Sequence, residues 1–282
     1  MNTDSAPVPL FLEANGRRLF AVHHPPGGGA SGDGARGAVL LLPPFAEEMN
    51  MSRRMLYLLG RALAADGCHC LLPDLTGTGE SDGDFSDARW ETWAGDARSA
   101  RDWLADRAGC PVVPLGLRAG ALLAAGLEAP PRLILWQPVG NGQTMLNQFL
   151  RIRVAGGLTG GEDGREKETT AQLRAEWAAG RPVEIAGYEV HPELAAALDA
   201  QRLDALAPAA GTRVDWIETG DAASGPSPAT ARIVETWRAA GVDVRPHVCA
   251  GDPFWTIQET AFAPAMIEAT LAALADDGAD VS

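Results

Sequence analysis

The chain of 282 residues is poor in positive charge, cysteine and long apolar runs, and each shortage excludes a class of protein. Lysine and arginine together number 23 against 37 acidic residues, giving a formal net charge of −14 and a pI near 4.7. A field of that sign repels phosphate backbones and anionic lipid surfaces, which argues against nucleic-acid partners. No stretch approaches the roughly 18 to 20 uninterrupted apolar residues of a membrane span. Residues 1–8 carry neither a basic segment nor an apolar run, so no secretory signal is expected and the cytoplasm is the expected compartment. Four cysteines are present, Cys68, Cys70, Cys110 and Cys249, and reduced thiols fit that compartment. Cys68 and Cys70 flank His69, but C-x-C with one histidine lacks the second half of a zinc site. These three read as buried strand residues, and no metal or cofactor is expected. The glycine-rich segment 27–37 lacks the spacing of a phosphate loop and reads as a connection.

What is present is a 46% apolar chain, enough for one large core, with strand and helix patterns in alternation. Residues 10–13 and 18–23 alternate around Asn15-Gly16, a hairpin signal. Residues 38–42, 68–73, 112–117, 132–139, 213–219 and 242–249 read as strands. The continuous apolar run 38–42, closed by Pro43-Pro44, suits a strand covered on both faces, and 68–73 reads as another buried strand. Residues 51–65, 90–104, 229–240 and 263–275 carry helical spacing between them. The alternation predicts an α/β fold with a mostly parallel, doubly wound sheet. The rhythm breaks after Val139: amphipathic helices are expected over 143–154 and 166–179, with a Gly/charged loop over 156–164 between them. Residues 183–190 look extended, and His191-Pro192-Glu193 opens a third helix. Residues 1–140 and 207–282 are therefore read as the core, and 141–206 as an inserted, mainly helical cap.

One segment carries the chemistry by its omission. Gly116-Leu117-Arg118-Ala119-Gly120 follows an apolar strand and precedes an Ala/Leu-rich helix. This resembles the G-x-S-x-G nucleophile elbow of the α/β-hydrolases, with Arg118 in place of the serine. A guanidinium stays protonated and cannot attack. Asp74-Leu75-Thr76-Gly77-Thr78-Gly79-Glu80-Ser81 resembles the D-x-x-G-x-G-x-S turn found one βα unit before the elbow in that fold. Its expected role is structural, and it fails as a dinucleotide fingerprint because the third glycine position is Asp82.

A narrower resemblance rests on Arg17-Arg18-Leu19-Phe20-Ala21-Val22-His23-His24-Pro25-Pro26, Pro43-Pro44-Phe45-Ala46-Glu47-Glu48-Met49-Asn50, Gly116-Leu117-Arg118 and Pro253-Phe254-Trp255. In these phrases the chain is similar to the exosortase A system-associated hydrolase 2 family, over about residues 10–263. The resemblance implies an α/β-hydrolase fold and a setting in bacterial exopolysaccharide and protein-sorting loci.

Placed on the hydrolase pattern, the rest of the triad is also altered. The acid slot follows the strand ending near Thr219, where Asp221 stands early and Ala222 and Ala223 fill the neighbouring places. The base slot lies in Gly251-Asp252-Pro253-Phe254-Trp255, with Pro253 where histidine is expected. His247 precedes it by six residues, about 20 Å along an extended strand. Ser81 lies on the catalytic edge with no histidine placed to activate it. Serine hydrolysis by the usual route is not expected.

The candidate catalytic residues are Arg118, Asp221, Asp252 and Glu48, the carboxylates as a general acid and base on water. Phe45 and Ala119 are the candidate oxyanion-hole donors, and with Arg118 they form a candidate anion site. Glu47, Trp136, Phe254 and Trp255 are candidate pocket residues. Against this stand plainer readings: Glu47 and Glu48 as the acidic first turn of a helix, the aromatics as core, and Arg118 as a plug paired with Glu47, Glu48, Asp221 or Asp252. The expected ligand is a small carboxylate, ester or phosphate. A homo-oligomer or a partner encoded in the same locus is an alternative role.

Overall fold

Leu40, Leu41 and Leu42 are fully buried, and burial on both sides of one strand is what the apolar run 38–42 demands. Each such side chain contributes roughly 1.5–3 kcal/mol of transfer free energy. The computed structural model describes residues 6–27, 34–128, 130–159, 168–256 and 261–276. In it, β3 (Gly37–Leu42) sends Ala38, Leu40 and Leu42 into one apolar cluster and Val39 and Leu41 into another on the opposite face. This is the period-two alternation of a strand between two helical layers.

The sheet has eight strands. A hairpin, β1 (Val8–Ala14) and β2 (Arg17–His24), forms one edge, its turn made by Asn15 and Gly16 at φ 52° and 78°. Beyond it lie β4 (Cys68–Pro73), β3, β5 (Val112–Leu117), β6 (Arg132–Trp136), β9 (Arg213–Thr219) and β10 (Asp243–Cys249), in that spatial order. β2 runs antiparallel to β4, and every later pairing is parallel. α1 (Glu47–Ala65) and α8 (Pro264–Ala275) cover one face. α2 (Trp90–Ala108), α3 (Gly120–Ala125) and α7 (Pro228–Ala239) cover the other.

Between β6 and β9 the chain leaves the sheet for α4 (Gly142–Thr159), α5 (Thr170–Ala178), a small hairpin of β7 (Val183–Ile185) and β8 (Tyr188–Val190), and α6 (Pro192–Asp199). A bridge between Asn141 and Arg202 ties its two ends together. The excursion has no core of its own, for Phe149, Leu150, Leu173, Leu194 and Leu198 join the same cluster as Phe45 and Trp93. Two expectations are corrected here. α4 runs through Gly156 to Thr159, where a loop was expected from 156, and the extended segment 183–190 folds back on itself at Ala186-Gly187, both at positive φ. Most of the expected connection 27–37 and the later part of the loop 156–164 lie outside the described residues.

Candidate active site

The turn after β5 has the geometry of an elbow. Arg118 takes φ +54°, a conformation that costs a non-glycine residue of order 1 kcal/mol or more and persists only where the surroundings impose it. They do so here: Arg118 N donates to Trp136 O at 3.0 Å, and Arg118 O accepts from Val139 N at 3.2 Å and Ala121 N at 3.1 Å. The flanking glycines are demanded by close backbone approach. A Cβ on Gly116 would stand 2.4 Å from Gly120 O, and one on Gly120 would stand 2.2 Å from Leu42 O.

The Arg118 side chain is held by Glu48, in the first turn of α1. Its Nε donates to both carboxylate oxygens at 3.2 Å and its Nη2 to Oε1 at 3.0 Å. The ring of Trp255 lies 5.5 Å beneath the guanidinium, in cation–π range, and Nη1 reaches Gln137 O at a long 3.5 Å. Both ionised side chains are largely withdrawn from water, at 15% and 23% exposure. Burial raises the Glu48 carboxyl above its ordinary range, and the charge and hydrogen bonds of Arg118 partly offset that.

Glu48 is thus the partner of Arg118. Glu47 points elsewhere, towards Asn50 and Tyr188 of β8. Asp221 is exposed and caps the short 3-10 turn that follows it, accepting from Ala223 N and the Ser224 hydroxyl. Asp252 is exposed, and its backbone carbonyl accepts from Phe254 N in the Pro253 turn. Neither carboxylate meets Arg118, so the expectation that one of them works beside it is not supported by their placement.

The expected pocket aromatics are core. Trp136 is fully buried on the α8 face with its Nε1 bonded to Thr270 Oγ1, and Phe254 packs between it and Trp255. Among these aromatics, the Trp255 ring is the one stacked on the Arg118 guanidinium, while Trp136 meets the elbow through its backbone carbonyl. Phe45 is also packed, edge-on against Phe85, Trp93 and Phe149. Phe45 and Ala119 do line one cavity, as an oxyanion pair should, but it holds about 20 Å³, room for roughly one water. Leu198 of α6 is part of that lining, and Phe149 of α4 packs edge-on against Phe45 beside it.

All five histidines of the chain are described, and each is engaged away from Arg118. His247 sits mid-strand with Nε2 3.1 Å from Asp215. Burial would raise that carboxyl, yet bonds from His247 and Arg132 outweigh it and hold it at about 2. His191 caps α6, accepting from Glu193 N. His23 and His69 share a 3.0 Å contact, and His24 packs on Tyr57. Ser81 is likewise spoken for, donating to Asp74 O at 2.6 Å and accepting from Phe20 N at 2.8 Å. The Asp74 turn is structural as expected: a Cβ at Gly79 would collide with the Asp74 carboxylate at 1.8 Å. Cys68 and Cys70 face the α1 side while His69 meets His23 on the other, so the three side chains cannot converge.

Four residues near the elbow escape sequence reasoning. Gln137, at φ +41°, links β6 to β9 by accepting from Thr219 N. Tyr188 closes the excursion over α1. Arg202 and Arg232 line a second, larger cavity with Arg118, about 420 Å³, under the first turns of α4 and α7. No local motif marks these positions; only the fold brings them together.

No protein-family model matches the chain, and no curated protein matches its sequence. Solved structures do match. The chain is similar to the α/β hydrolase GrgF from Penicillium sp. sh18 at 17% identity, covering 96% of this chain and 98% of that one with a TM-score of 0.62. It is similar to Est1E from Butyrivibrio proteoclasticus, solved with ferulic acid bound, at 14% identity over 95% and 97% with a TM-score of 0.61. It also resembles the mouse alpha/beta hydrolase domain-containing protein 10 at 13% identity over 98% and 100%, with a TM-score of 0.58. The fold is that of the α/β-hydrolases. No helix of the described residues is long and apolar enough to cross a membrane.

Proposed function

We propose that this is an α/β-hydrolase-fold protein that does not run serine hydrolysis and instead holds a small anion beside its elbow. The observation that carries the reading is the Arg118–Glu48 ion pair, with the arginine standing where the elbow would present its nucleophile. A protonated guanidinium has no lone pair for attack, and a carboxylate bonded twice to it is a poor base, because proton uptake must break those bonds. The near-filled cavity beside Phe45 and Ala119 supports the same reading, since an acyl substrate has no room there. The resemblance to exosortase-associated hydrolases supplies a setting, a cytoplasmic protein of an exopolysaccharide and protein-sorting locus.

A fluorophosphonate probe and a panel of p-nitrophenyl esters test this. No covalent adduct by mass spectrometry and no turnover above buffer are expected. Stoichiometric labelling, or ester turnover that survives purification and is lost on substitution near the elbow, would overturn the reading.

A further inference from the structure

The cavity on the far side of Arg118 is a different space from the closed one. It lies between the end of β6, the first two turns of α4 and the start of α7, and at about 420 Å³ it falls in the size range of small-molecule sites, roughly 300–1,000 Å³. Its charge runs against that of the molecule. The lining carries three arginines, Arg118, Arg202 and Arg232, and one acid, Asp204, in a chain of net charge −14.

The three arginines are committed to different degrees. Arg202 is paired bidentately with Asp204, at 3.2 and 2.7 Å. Arg118 spends Nε and Nη2 on Glu48, leaving Nη1 only its long contact to Gln137 O. Arg232 has its Nε anchored on Pro228 O at 3.3 Å, and no described carboxylate pairs with it. Its stem is therefore placed while its terminal nitrogens remain available to an acceptor. Thr144 adds a hydroxyl at the same wall. Val139, Met145 and Ile233 supply apolar surface, and Asn141 and Gln148 add two amides to the lining. A bare inorganic ion would leave that surface against water.

We propose that this cleft binds a small organic anion, a carboxylate or phosphate monoester carrying a compact apolar body, with Arg232 and Arg118 on the charged end. A planar fork suits both acceptor groups, and both side chains keep donors to spare. The apolar body lies against Val139, Met145 and Ile233. The proposal rests on the anion-holding reading above and is independent of whether the elbow hydrolyses anything.

The test is isothermal titration of the full chain with phenyl phosphate and with 4-phenylbutyrate, alongside the uncharged 4-phenylbutyramide. The two anions separate phosphate from carboxylate preference. Saturable binding of at least one anion is expected, with none by the amide. Arg232→Ala, an exposed position whose loss should leave the fold intact by circular dichroism, should weaken it at least tenfold. Equal affinity in Arg232→Ala and wild type, equal binding of the amide, or no binding of either anion would overturn the cleft as the site. Binding lost in Arg118→Met but unchanged in Arg232→Ala would remove the cleft and keep the anion-holding reading. Fluorophosphonate labelling would remove the non-hydrolytic reading and leave the cleft untouched.

Discussion

Arg118 and Ala119 are neighbours in the chain and look into opposite kinds of space. On the Ala119 side, a cavity lined by Phe45, Trp93 and Leu198 holds only about the volume of one water, and Phe149 packs on Phe45 behind it. On the Arg118 side, a cleft of about 420 Å³ stays open and basic. On the function proposed above, the difference is that of a hydrolase framework retained without its serine chemistry. The strained turn and its glycines serve the packing of β5, α3 and β3, whatever residue sits at the apex. On that reading a side chain that cannot attack leaves no reason to admit an acyl group, and Leu198 and Phe149 of the excursion pack down beside Phe45.

The comparison can be broken at several points. The largest effect is expected from Gly120→Ala, which drives a Cβ into Leu42 O and Pro43 O and so disturbs both spaces at once. A loss of about 4 kcal/mol or more is expected, because backbone carbonyls cannot step aside. Urea unfolding checks it, and a near-wild-type midpoint would mean that the elbow is less tightly packed than described.

Phe149→Ala addresses the closed side alone. Truncating a buried aromatic costs about 3 kcal/mol and opens room beside Phe45. Ester turnover should remain absent, since space returns without a nucleophile. A gain of turnover would show that some other group can attack once substrate enters.

Arg118→Met sharpens the link between the two sides through pH. Glu48 is already raised by burial, with Arg118 opposing the rise. A folded-state carboxyl pKa above the unfolded one means that the native protein binds more protons in that window, so stability falls as pH climbs through it. Removing the guanidinium lifts the folded value further and widens the window upward. At neutral pH the variant should lose about 1–2 kcal/mol, below the range for fully buried pairs because both side chains keep some contact with water. Its deficit should shrink as pH falls toward about 4.5, the ordinary value for this carboxyl. Thermal unfolding across that range reads the slope, and parallel profiles for the two proteins would contradict it. The smallest effect is expected from Arg232→Ala, within about 0.5 kcal/mol of wild type in urea, as befits an exposed cleft residue.

The fold was legible in the sequence because its signals are local and repeated. Strands 68–73 and 213–219 were read to the residue: the first is a largely apolar run closed by Pro73, the second is set off by Gly211 and Gly220. The elbow was legible for a steric reason, two glycines at fixed spacing around one apex. Its partner was only narrowed to four acids, because a side-chain contact spanning 70 residues leaves no periodic trace. Trp136 misled by position: strand ends point at ligands in this fold, but period-two alternation turned its ring to the α8 face. The basic cleft was illegible, for its arginines come from three distant segments and net charge reports only the acidic whole.

The most direct measurement of the central claim is a double-mutant cycle on Arg118→Met and Glu48→Gln at neutral pH. A coupling free energy of about 1–2 kcal/mol is predicted, as for groups that share hydrogen bonds out of bulk water. Coupling indistinguishable from zero would mean that the elbow is not built around this pair, and would contradict the account.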